Sequence, residues 1–276
     1  MNSFLEEMAA TSAARVRTAR ARLSEAALAE LAGRTPAAPP LRLSAAGFDL
    51  IAELKLRSPT AGALGDAETP MATRLAAYAE AGAAAVSVLT EPSRFDGSLS
   101  HLAEAARALS PLRIPVMRKD FLVDPYQLLE ARAAGAGGAL LIVRMLSRET
   151  LGALIECARA QGLFVLLEAF DESDLERMGE VIAADAGRSR LLAGVNCRDL
   201  ATLEVVPRRL LELAPFMPPG VPHVAESGVE SAADARRLAS AGYGLILVGS
   251  ALMRGASPAD LARRLIAAGR SAQGAS

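Results

Sequence analysis

The chain has 276 residues, a net charge of −1 and an isoelectric point near 6.2, so it has no overall positive field to recruit nucleic acid or an acidic membrane surface. Its hydrophobic fraction of 51% is enough for one large core, and an α/β barrel commonly occupies about 250 residues. Two cysteines and two histidines predict neither a metal cluster nor a disulfide framework. No apolar run approaches the length of about 20 residues that a membrane span needs. We therefore expect a cytoplasmic protein.

The first 47 residues are predicted to form a helical extension. Phe4, Leu5 and Met8 recur at helical spacing, and the proline-rich run 35–40 then ends the helices. Four arginines crowd the middle of this segment, at Arg15, Arg17, Arg20 and Arg22. Such a cluster can indicate nucleic-acid binding, but the interspersed glutamates and alanines favour a solvated helix face.

After residue 48 the chain alternates short apolar runs with segments of helical length. Most runs are almost continuously hydrophobic, which is typical of parallel strands buried on both faces. Eight candidate strands are found, at 50–55, 85–90, 115–119, 139–143, 164–168, 191–196, 223–227 and 245–249.

Helices are predicted between these strands, for example over 70–81, 125–134, 147–161 and 231–241. Each is followed closely by a glycine suited to a left-handed cap, at Gly82, Gly135, Gly162 and Gly242. A strand followed by a helix, eight times, favours a (β/α)₈ TIM barrel. We therefore expect one domain over residues 1–276, of which residues 1–47 are the N-terminal extension.

Lysine usage points to chemistry within this barrel. Of the 30 cationic side chains, 28 are arginine and only Lys55 and Lys119 are lysine. Arginine does not release its proton in proteins, whereas a lysine in a dry cleft can have a lowered pKa and then exchange protons or form an imine. Both lysines fall at predicted strand ends, which favours a chemical role over a chance result of the bias toward arginine.

The carboxyl ends of barrel strands face a common mouth, where active sites of such barrels lie. Polar residues or glycines end most of the apolar runs: Glu53 and Lys55, Lys119, Glu168, Asn196 and Arg198, Ser227 and Gly228, and Gly249 and Ser250. The carboxylates of Glu53 and Glu168 could instead be structural partners of arginine. The last two pairs follow the seventh and eighth strands, where loops often bind phosphate through backbone N–H groups, although a glycine there can also be a simple turn.

Several segments resemble the indole-3-glycerol phosphate synthase family. They are Ile51–Lys55 with Ser58–Pro59, Ser87–Pro92 leading to Phe95–Ser98, Pro115–Gln127, Gly194–Leu200, Ala225–Gly228 and Leu247–Met253. The similarity covers nearly the whole chain, and the segment around Lys119 is its most specific part. It implies the conversion of 1-(2-carboxyphenylamino)-1-deoxyribulose 5-phosphate to indole-3-glycerol phosphate in tryptophan biosynthesis, with loss of carbon dioxide and water.

The resemblance also implies residue roles. Lys119 would be the general acid on the ketone, and Glu168 with the Glu53/Lys55 pair would serve the dehydration, with the acid and base of that step left open. Asn196 and Ser227 complete the implied catalytic set. The implied substrate contacts are Arg57, Ser58, Phe95, Phe121, Arg198, Leu200, Gly228, Gly249 and Ser250. No metal or other cofactor is implied, because an iminium formed by ring closure accepts the electrons of decarboxylation. A small phosphorylated substrate is the expected partner, and a monomer is favoured.

Two alternatives stay open at this stage. The chain could be another sugar-phosphate barrel enzyme, a lyase or isomerase that forms an imine on Lys119, or a non-catalytic barrel that only binds a phosphorylated ligand. The segment 57–63 could be a mobile lid or a plain connection. Departures from the family pattern occur at Arg57, at Arg94 and at Ala169–Phe170, where lysine, an aromatic residue and Val-His are usual.

Overall fold

A computed structural model describes residues 3–55, 57–58, 62–63, 69–199, 202–254 and 257–274. In chain order the strands are β1 (Asp49–Leu54), the short β2 (Arg57–Ser58) and β3 (Gly62–Ala63), β4 (Ala85–Leu89), β5 (Val116–Lys119), β6 (Gly138–Ile142), β7 (Phe164–Ala169), β8 (Leu191–Asn196), β9 (His223–Glu226) and β10 (Leu245–Val248). Strands β1 and β4 to β10 form a closed parallel barrel, in which β1 pairs with both β4 and β10. The predicted fold class and all eight predicted barrel strands are confirmed.

Helices lie between the strands and before the first one. They are α1 (Ser3–Arg22), α2 (Glu25–Arg34), α3 (Met71–Glu80), α4 (Pro92–Phe95), α5 (Leu99–Leu109), α6 (Pro125–Ala133), α7 (Arg148–Ala160), α8 (Glu172–Asp185), α9 (Arg208–Leu213), α10 (Ala232–Ser240), α11 (Ser250–Arg254) and α12 (Pro258–Gln273). Short 3₁₀ turns occupy Ser110–Leu112, Val143–Met145 and Ala214–Phe216. The four glycines predicted to cap helices have φ between 69° and 97°, which confirms that prediction. No helix of the described ranges is long and apolar enough to cross a membrane.

Side chains alternate between two cores along each barrel strand, because a strand has a period of two residues. In β7, Val165 and Leu167 pack outward in the layer shared with the helices, whereas Phe164 and Leu166 fill the barrel interior. Glu168 therefore faces inward, at the carboxyl end. The same alternation turns four further residues inward at that end of the barrel: Glu53, Lys119, Asn196 and Glu226.

The N-terminal extension packs against the β5–α6 unit. Val16 and Leu28 form a small apolar cluster with Tyr126 of α6. The Tyr126 hydroxyl donates a hydrogen bond to the Leu23 carbonyl oxygen at 2.9 Å. Since β5 carries Lys119, the extension supports the strand that bears the central lysine of the site.

Arginines of α1 contribute to this docking. Arg15 donates two hydrogen bonds to the buried carboxylate of Asp120, at 2.6 and 2.9 Å, and Arg20 donates to Asp124 at 2.8 Å. Asp120 also pairs with Arg118, whose side chain is almost fully buried, at 3.1 Å. The expectation of a solvated arginine face on α1 is therefore wrong for Arg15, because a carboxylate far along the chain lies within its reach.

The Arg15–Asp120 pair predicts a measurable loss of stability in the Arg15→Ala variant. Asp120 is buried, and the alanine leaves its carboxylate with fewer donors, so we expect a loss of about 2–3 kcal/mol in the free energy of unfolding. Urea unfolding at neutral pH measures this loss. Arg17→Ala, at an exposed position of the same helix, is the matched control and should change stability by less than about 0.5 kcal/mol. Equal midpoints for the two variants would contradict the assignment.

The same pair predicts an acid dependence of stability. Burial opposes ionisation of Asp120, but hydrogen bonds from Arg15 and Thr90 and the charge of Arg118 lower the pKa of Asp120 to about 2. An unfolded aspartate has a pKa of about 3.9. The carboxylate therefore stabilises the folded state above about pH 4, and this contribution is lost as the pH falls from about 4 to about 2. Because Arg15→Ala removes one of the groups that lower the pKa of Asp120, that variant should lose less stability than the wild type as the pH falls from about 4 to about 2.

Candidate active site

Five inward-facing polar side chains converge at the carboxyl end of the barrel. They belong to β1, β5, β7, β8 and β9, and each lines a single cavity of about 450 Å³. The residues are Glu53, Lys119, Glu168, Asn196 and Glu226. Lys55, directly after β1, lines the same cavity. The main candidates that were predicted from strand ends therefore lie in one site.

Lys119 lies between two carboxylates. Its Nζ donates hydrogen bonds to Glu226 Oε2 at 3.0 Å and to Glu168 Oε1 at 3.3 Å. The ammonium is mostly buried, and the two carboxylates come from β9 and β7, far from Lys119 in the sequence. The Lys119 ammonium is thus held from two sides by carboxylates of two other strands.

The charges around Lys119 keep it protonated. Burial disfavours the charged ammonium, but the negative charges of three carboxylates outweigh burial and raise the pKa of Lys119 above its ordinary value. These carboxylates belong to Glu168, Glu226 and Glu53. Burial alone would lower the pKa of Lys119, so the neighbouring carboxylates reverse the direction of the shift and stabilise the ammonium form, which can donate a proton.

Glu226 is a site residue that is absent from the sequence prediction. It ends strand β9, the same criterion that identified Glu168, but the prediction at this strand end names Ser227 and Gly228. Its side chain is 1% exposed, and Oε1 is buried without a hydrogen-bond partner among the described residues. Burial is the main cause that raises the pKa of Glu226 to about 8; repulsion from Glu168 and Glu53 adds to it, while Lys119 opposes it.

The raised pKa of Glu226 predicts that stability falls with rising pH. Glutamates of the unfolded chain have a pKa of about 4.3, so the folded protein binds this proton more tightly and loses stability as the pH rises from about 4.3 to about 8. The Glu226→Gln variant cannot ionise and should unfold at a higher temperature than the wild type at pH 8. Thermal unfolding of both proteins from about pH 5 to pH 8.5 measures this difference. The exposed Glu176→Gln variant serves as control, and parallel pH profiles of Glu226→Gln and wild type would contradict the assignment.

Glu53 and Lys55 form a second ion pair at the cavity wall. Lys55 Nζ lies 2.9 Å from Glu53 Oε1, and both side chains are at least 90% buried. Burial opposes ionisation of Glu53, but Lys55 and then Lys119 lower the pKa of Glu53 below its ordinary value. Glu53 is therefore an ionised carboxylate that can accept a proton, and it lies beside a lysine that can donate one.

Asn196 orients Glu168. Its Nδ2 donates to Glu168 Oε1 at 2.7 Å, while its Oδ1 accepts a hydrogen bond from the Arg198 backbone at 3.0 Å. The Arg198 side chain lines the cavity and donates to the Leu203 carbonyl oxygen at 2.6 Å. The partners of Glu53 and Glu168 are thus lysines and an amide of the site, which favours a chemical role over a purely structural one.

Aromatic side chains form the apolar end of the cavity. The rings of Phe95 and Phe121 lie 6.3 Å apart, and Phe4 of α1 meets Phe121 edge to face at 5.8 Å. Phe170, which follows β7, also lines the cavity, with the Arg144 guanidinium 4.9 Å above its ring. Phe4 was not predicted as a site residue, because only the docking of α1 brings it there.

The opposite end is lined by backbone-rich loops after β9 and β10. Ser227, Gly228, Gly249 and Ser250 all line the cavity, as predicted, and Arg254 of α11 joins them. Ser227 and Gly228 both have φ of 68°, a conformation that turns the loop sharply. Gly249 has a further constraint, since a Cβ there would lie 2.3 Å from Glu53 Oε1.

Three predicted contacts are not among the described residues that line the cavity. Arg57 is half exposed and lies 3.7 Å from Asp96, away from the cavity lining. Ser58 is described only as part of the short β2–β3 pair, and Leu200 lies outside the described residues. The predicted lid, 57–63, is described only at 57–58 and 62–63, so its motion stays a prediction. Arg94 pairs with Glu7 of α1 at 2.7 Å.

Comparison with known proteins agrees with these observations. The family model described as "Indole-3-glycerol phosphate synthase" matches residues 5–265. Relatives named indole-3-glycerol phosphate synthase include one from Parafrankia sp., 44% identical over 250 residues (89% of either chain), and one from Micrococcus luteus, 44% identical over 253 residues (89% of this chain, 90% of the relative). A third, from Streptomyces griseus, is 44% identical over 251 residues (90% and 89%).

Solved structures show the same fold at low sequence identity. Thiamine phosphate pyrophosphorylase from Pyrococcus furiosus superposes with a TM-score of 0.58 at 14% identity, over 82% of this chain and 97% of that one. For 3-hexulose-6-phosphate synthase from Salmonella typhimurium the TM-score is 0.59 at 14% identity, over 82% and 100%. These two similarities bear on the fold alone.

Proposed function

The chain belongs to the indole-3-glycerol phosphate synthase family, and from that premise we propose how its residues divide the steps of the reaction. The activity is that of a carboxy-lyase of tryptophan biosynthesis: 1-(2-carboxyphenylamino)-1-deoxyribulose 5-phosphate closes to indole-3-glycerol phosphate and releases carbon dioxide and water. Three chemical steps are needed, namely ring closure, decarboxylation and dehydration.

Lys119 drives the ring closure as a general acid. The ring carbon that bears the carboxylate attacks the ketone carbon and forms the new C–C bond, while the ketone oxygen takes a proton from Lys119 Nζ and becomes a hydroxyl. The single observation that carries this proposal is the buried Lys119 ammonium held by Glu168 and Glu226. A donor fixed in a largely dry site needs little reorganisation as charge develops on the oxygen.

Decarboxylation then needs no group from the protein to accept electrons. The carboxylate sits on a tetrahedral carbon that is bonded to the carbon of a cationic iminium group. The C–C bond to the carboxylate breaks, carbon dioxide leaves, and the electron pair neutralises the iminium. The contribution of the protein at this step is to hold the ring in the apolar end of the cavity, beside Phe95 and Phe121.

Dehydration completes the aromatic indole by removing the new hydroxyl as water and a proton from the neighbouring carbon that bears the nitrogen. The ionised Glu53 with Lys55, and Glu168 held by Asn196, are the carboxylates that support this step. One group donates a proton to the leaving hydroxyl while a carboxylate accepts the carbon-bound proton. Over the whole reaction one solvent proton is consumed, and it restores the proton that Lys119 donated to the ketone.

The two ends of the cavity match the two ends of the substrate. The loops of Ser227–Gly228 and Gly249–Ser250, with Arg254 beside them, bind the phosphate, and Ser227 contributes through its backbone turn. Arg198 and Lys55 hold the carboxylate until it leaves, and Arg57, Ser58 and Leu200 are proposed to complete the site when substrate binds.

A fluorescence assay tests the function directly. The chain contains no tryptophan, so indole product is detected over a low background. Purified protein with the carboxyphenylamino ribulose phosphate and a chelator is expected to form indole-3-glycerol phosphate at an undiminished rate. Binding of substrate without turnover would instead support the non-catalytic barrel. A Lys119 adduct trapped by borohydride would support an imine enzyme, which the raised pKa of Lys119 disfavours.

We also propose a cytosolic monomer that folds as one domain over residues 1–276. The cavity is lined by residues of one chain, so a partner subunit is not needed to complete it. Phosphate esters do not cross bilayers readily, so the enzyme should act in the compartment where its substrate is made. Light scattering after gel filtration should give a mass near 28.6 kDa, and a larger mass that persists on dilution would contradict the monomer.

A further inference from the structure

Gly194 occupies an unusual position in the barrel interior. It lies in β8 between the inward-facing Leu192 and Asn196, so alternation points it into the barrel. In register it is paired with Glu168 of β7 and Val224 of β9. Gly194 is therefore level with Glu168 and one inward-facing position below the paired residues Asn196 and Glu226.

The space beside Gly194 is filled by the carboxylate of another strand. A Cβ at Gly194 would lie 2.5 Å from Oε1 of Glu226 and 2.9 Å from Cδ1 of Leu166. Real Cβ atoms essentially never approach other heavy atoms within 3.0 Å, so the two groups cannot share this space. The niche that seats Oε1 of Glu226 is thus formed by the missing side chain of Gly194 and the apolar wall of Leu166.

Because the carboxylate of Glu226 is planar, the position of Oε1 in the niche also restricts the position of Oε2. With Oε1 in the niche, Oε2 lies 3.0 Å from Lys119 Nζ. Oε1 itself has no hydrogen-bond partner within the described part of the chain, so no donor holds the carboxylate from that side. Packing therefore holds the Oε1 side of Glu226, and the hydrogen bond from Lys119 holds the Oε2 side.

We propose that Gly194 is a positioning residue for the reaction: its missing side chain leaves the niche for Glu226 Oε1 and thereby sets the contact of Glu226 with Lys119. This inference rests on the proposed role of Lys119 as general acid. The niche is dry and apolar on the Leu166 side, which agrees with the proton affinity of Glu226. The charged groups that face Glu226 are Lys119, Glu168 and Glu53, the last paired with Lys55.

A double-mutant cycle tests the proposal with four proteins: wild type, Gly194→Ala, Glu226→Ala and the double variant. Gly194→Ala is expected to lower kcat at least about 10-fold with a smaller change in KM, since a misplacement of about 1 Å can cost a large factor in rate. In the Glu226→Ala background the same change should lower kcat no further, because the carboxylate it would displace is absent. An equal loss in both backgrounds, or wild-type kcat in Gly194→Ala, would overturn the proposal.

Two control variants separate positioning from general damage. Gly138→Ala also introduces a Cβ into a filled interior, 2.4 Å from the Phe164 ring, but at the amino end of the barrel. It should lower the unfolding temperature and keep kcat. Gly152→Ala has no atom within 4 Å of the new Cβ and should leave kcat unchanged and the unfolding temperature equal or slightly higher.

Unfolding temperatures test the niche independently of activity. Gly194→Ala should be less stable than the wild type, and the same change should cost less stability in the Glu226→Ala background, where only the contact with Leu166 is left. If Gly194→Ala does not fold, the proposal still requires a folded double variant with the kcat of Glu226→Ala, and an unfolded one overturns it. If the wild type shows no turnover, the proposed function fails, whereas the stability cycle still decides on the niche.

Discussion

Replacing Lys119 by arginine is expected to lower kcat by about 10²–10⁴-fold while the protein stays folded. Arginine keeps the positive charge between Glu168 and Glu226, so the ion pairs that hold this side chain are retained in kind. Its guanidinium does not give up a proton, and the proposed ring closure requires transfer to the ketone oxygen. Charge alone therefore cannot rescue the reaction.

The measurement is steady-state turnover by indole fluorescence, together with substrate binding and thermal unfolding of the variant. Binding should be retained within about 10-fold, because the groups at the phosphate and aromatic ends are unchanged. Arg17→Lys, on the exposed face of α1, is the control for exchanging one cationic side chain for another. Wild-type turnover in Lys119→Arg would rule out the general-acid role, and it is the result that a non-catalytic binding barrel predicts.

The Glu168→Gln variant is expected to lose on the order of 10²-fold or more in kcat. Glutamine keeps the shape of the side chain, but it cannot accept a proton and carries no negative charge to attract Lys119. Two pKa values should also change: that of Lys119 falls because one attraction is lost, and that of Glu226 falls below about 8 because one repulsion is lost. Substrate affinity should change less than turnover.

A pH–rate profile of Glu168→Gln measures both effects. The wild-type profile is expected to show the ionisation of Glu226 near pH 8, and this ionisation should move to lower pH in the variant. Glu176→Gln, at an exposed position of α8, provides the matched control and should match the wild type in rate and profile. An unchanged kcat in Glu168→Gln would remove Glu168 from the dehydration and leave the Glu53/Lys55 pair as the base.

The barrel and most of its site could be predicted because the signals are local. Apolar runs of strand length mark the strands, and a polar residue at the end of a run marks the mouth, as Glu53 and Glu168 show. The same criterion applies to Glu226, so the sequence contains the signal for this residue as well.

Other properties depend on distances between strands, which a single sequence does not contain. The pKa of Lys119 is raised because carboxylates from β1, β7 and β9 surround it, and a local view of a buried lysine predicts the opposite direction. Phe4 reaches the cavity only because Arg15 and Tyr126 dock α1 on the β5–α6 unit. Gly194 matters only because Glu226 lies against it.

Sequence alone was sufficient for the barrel, for its N-terminal helices and for the placement of both lysines at the mouth, because strand alternation and helix capping are properties of neighbouring residues. Only the tertiary structure decided which charges share the cavity. The pKa values of Lys119 and Glu226 are both raised, because burial and Coulomb energies depend on atoms brought together from distant parts of the chain.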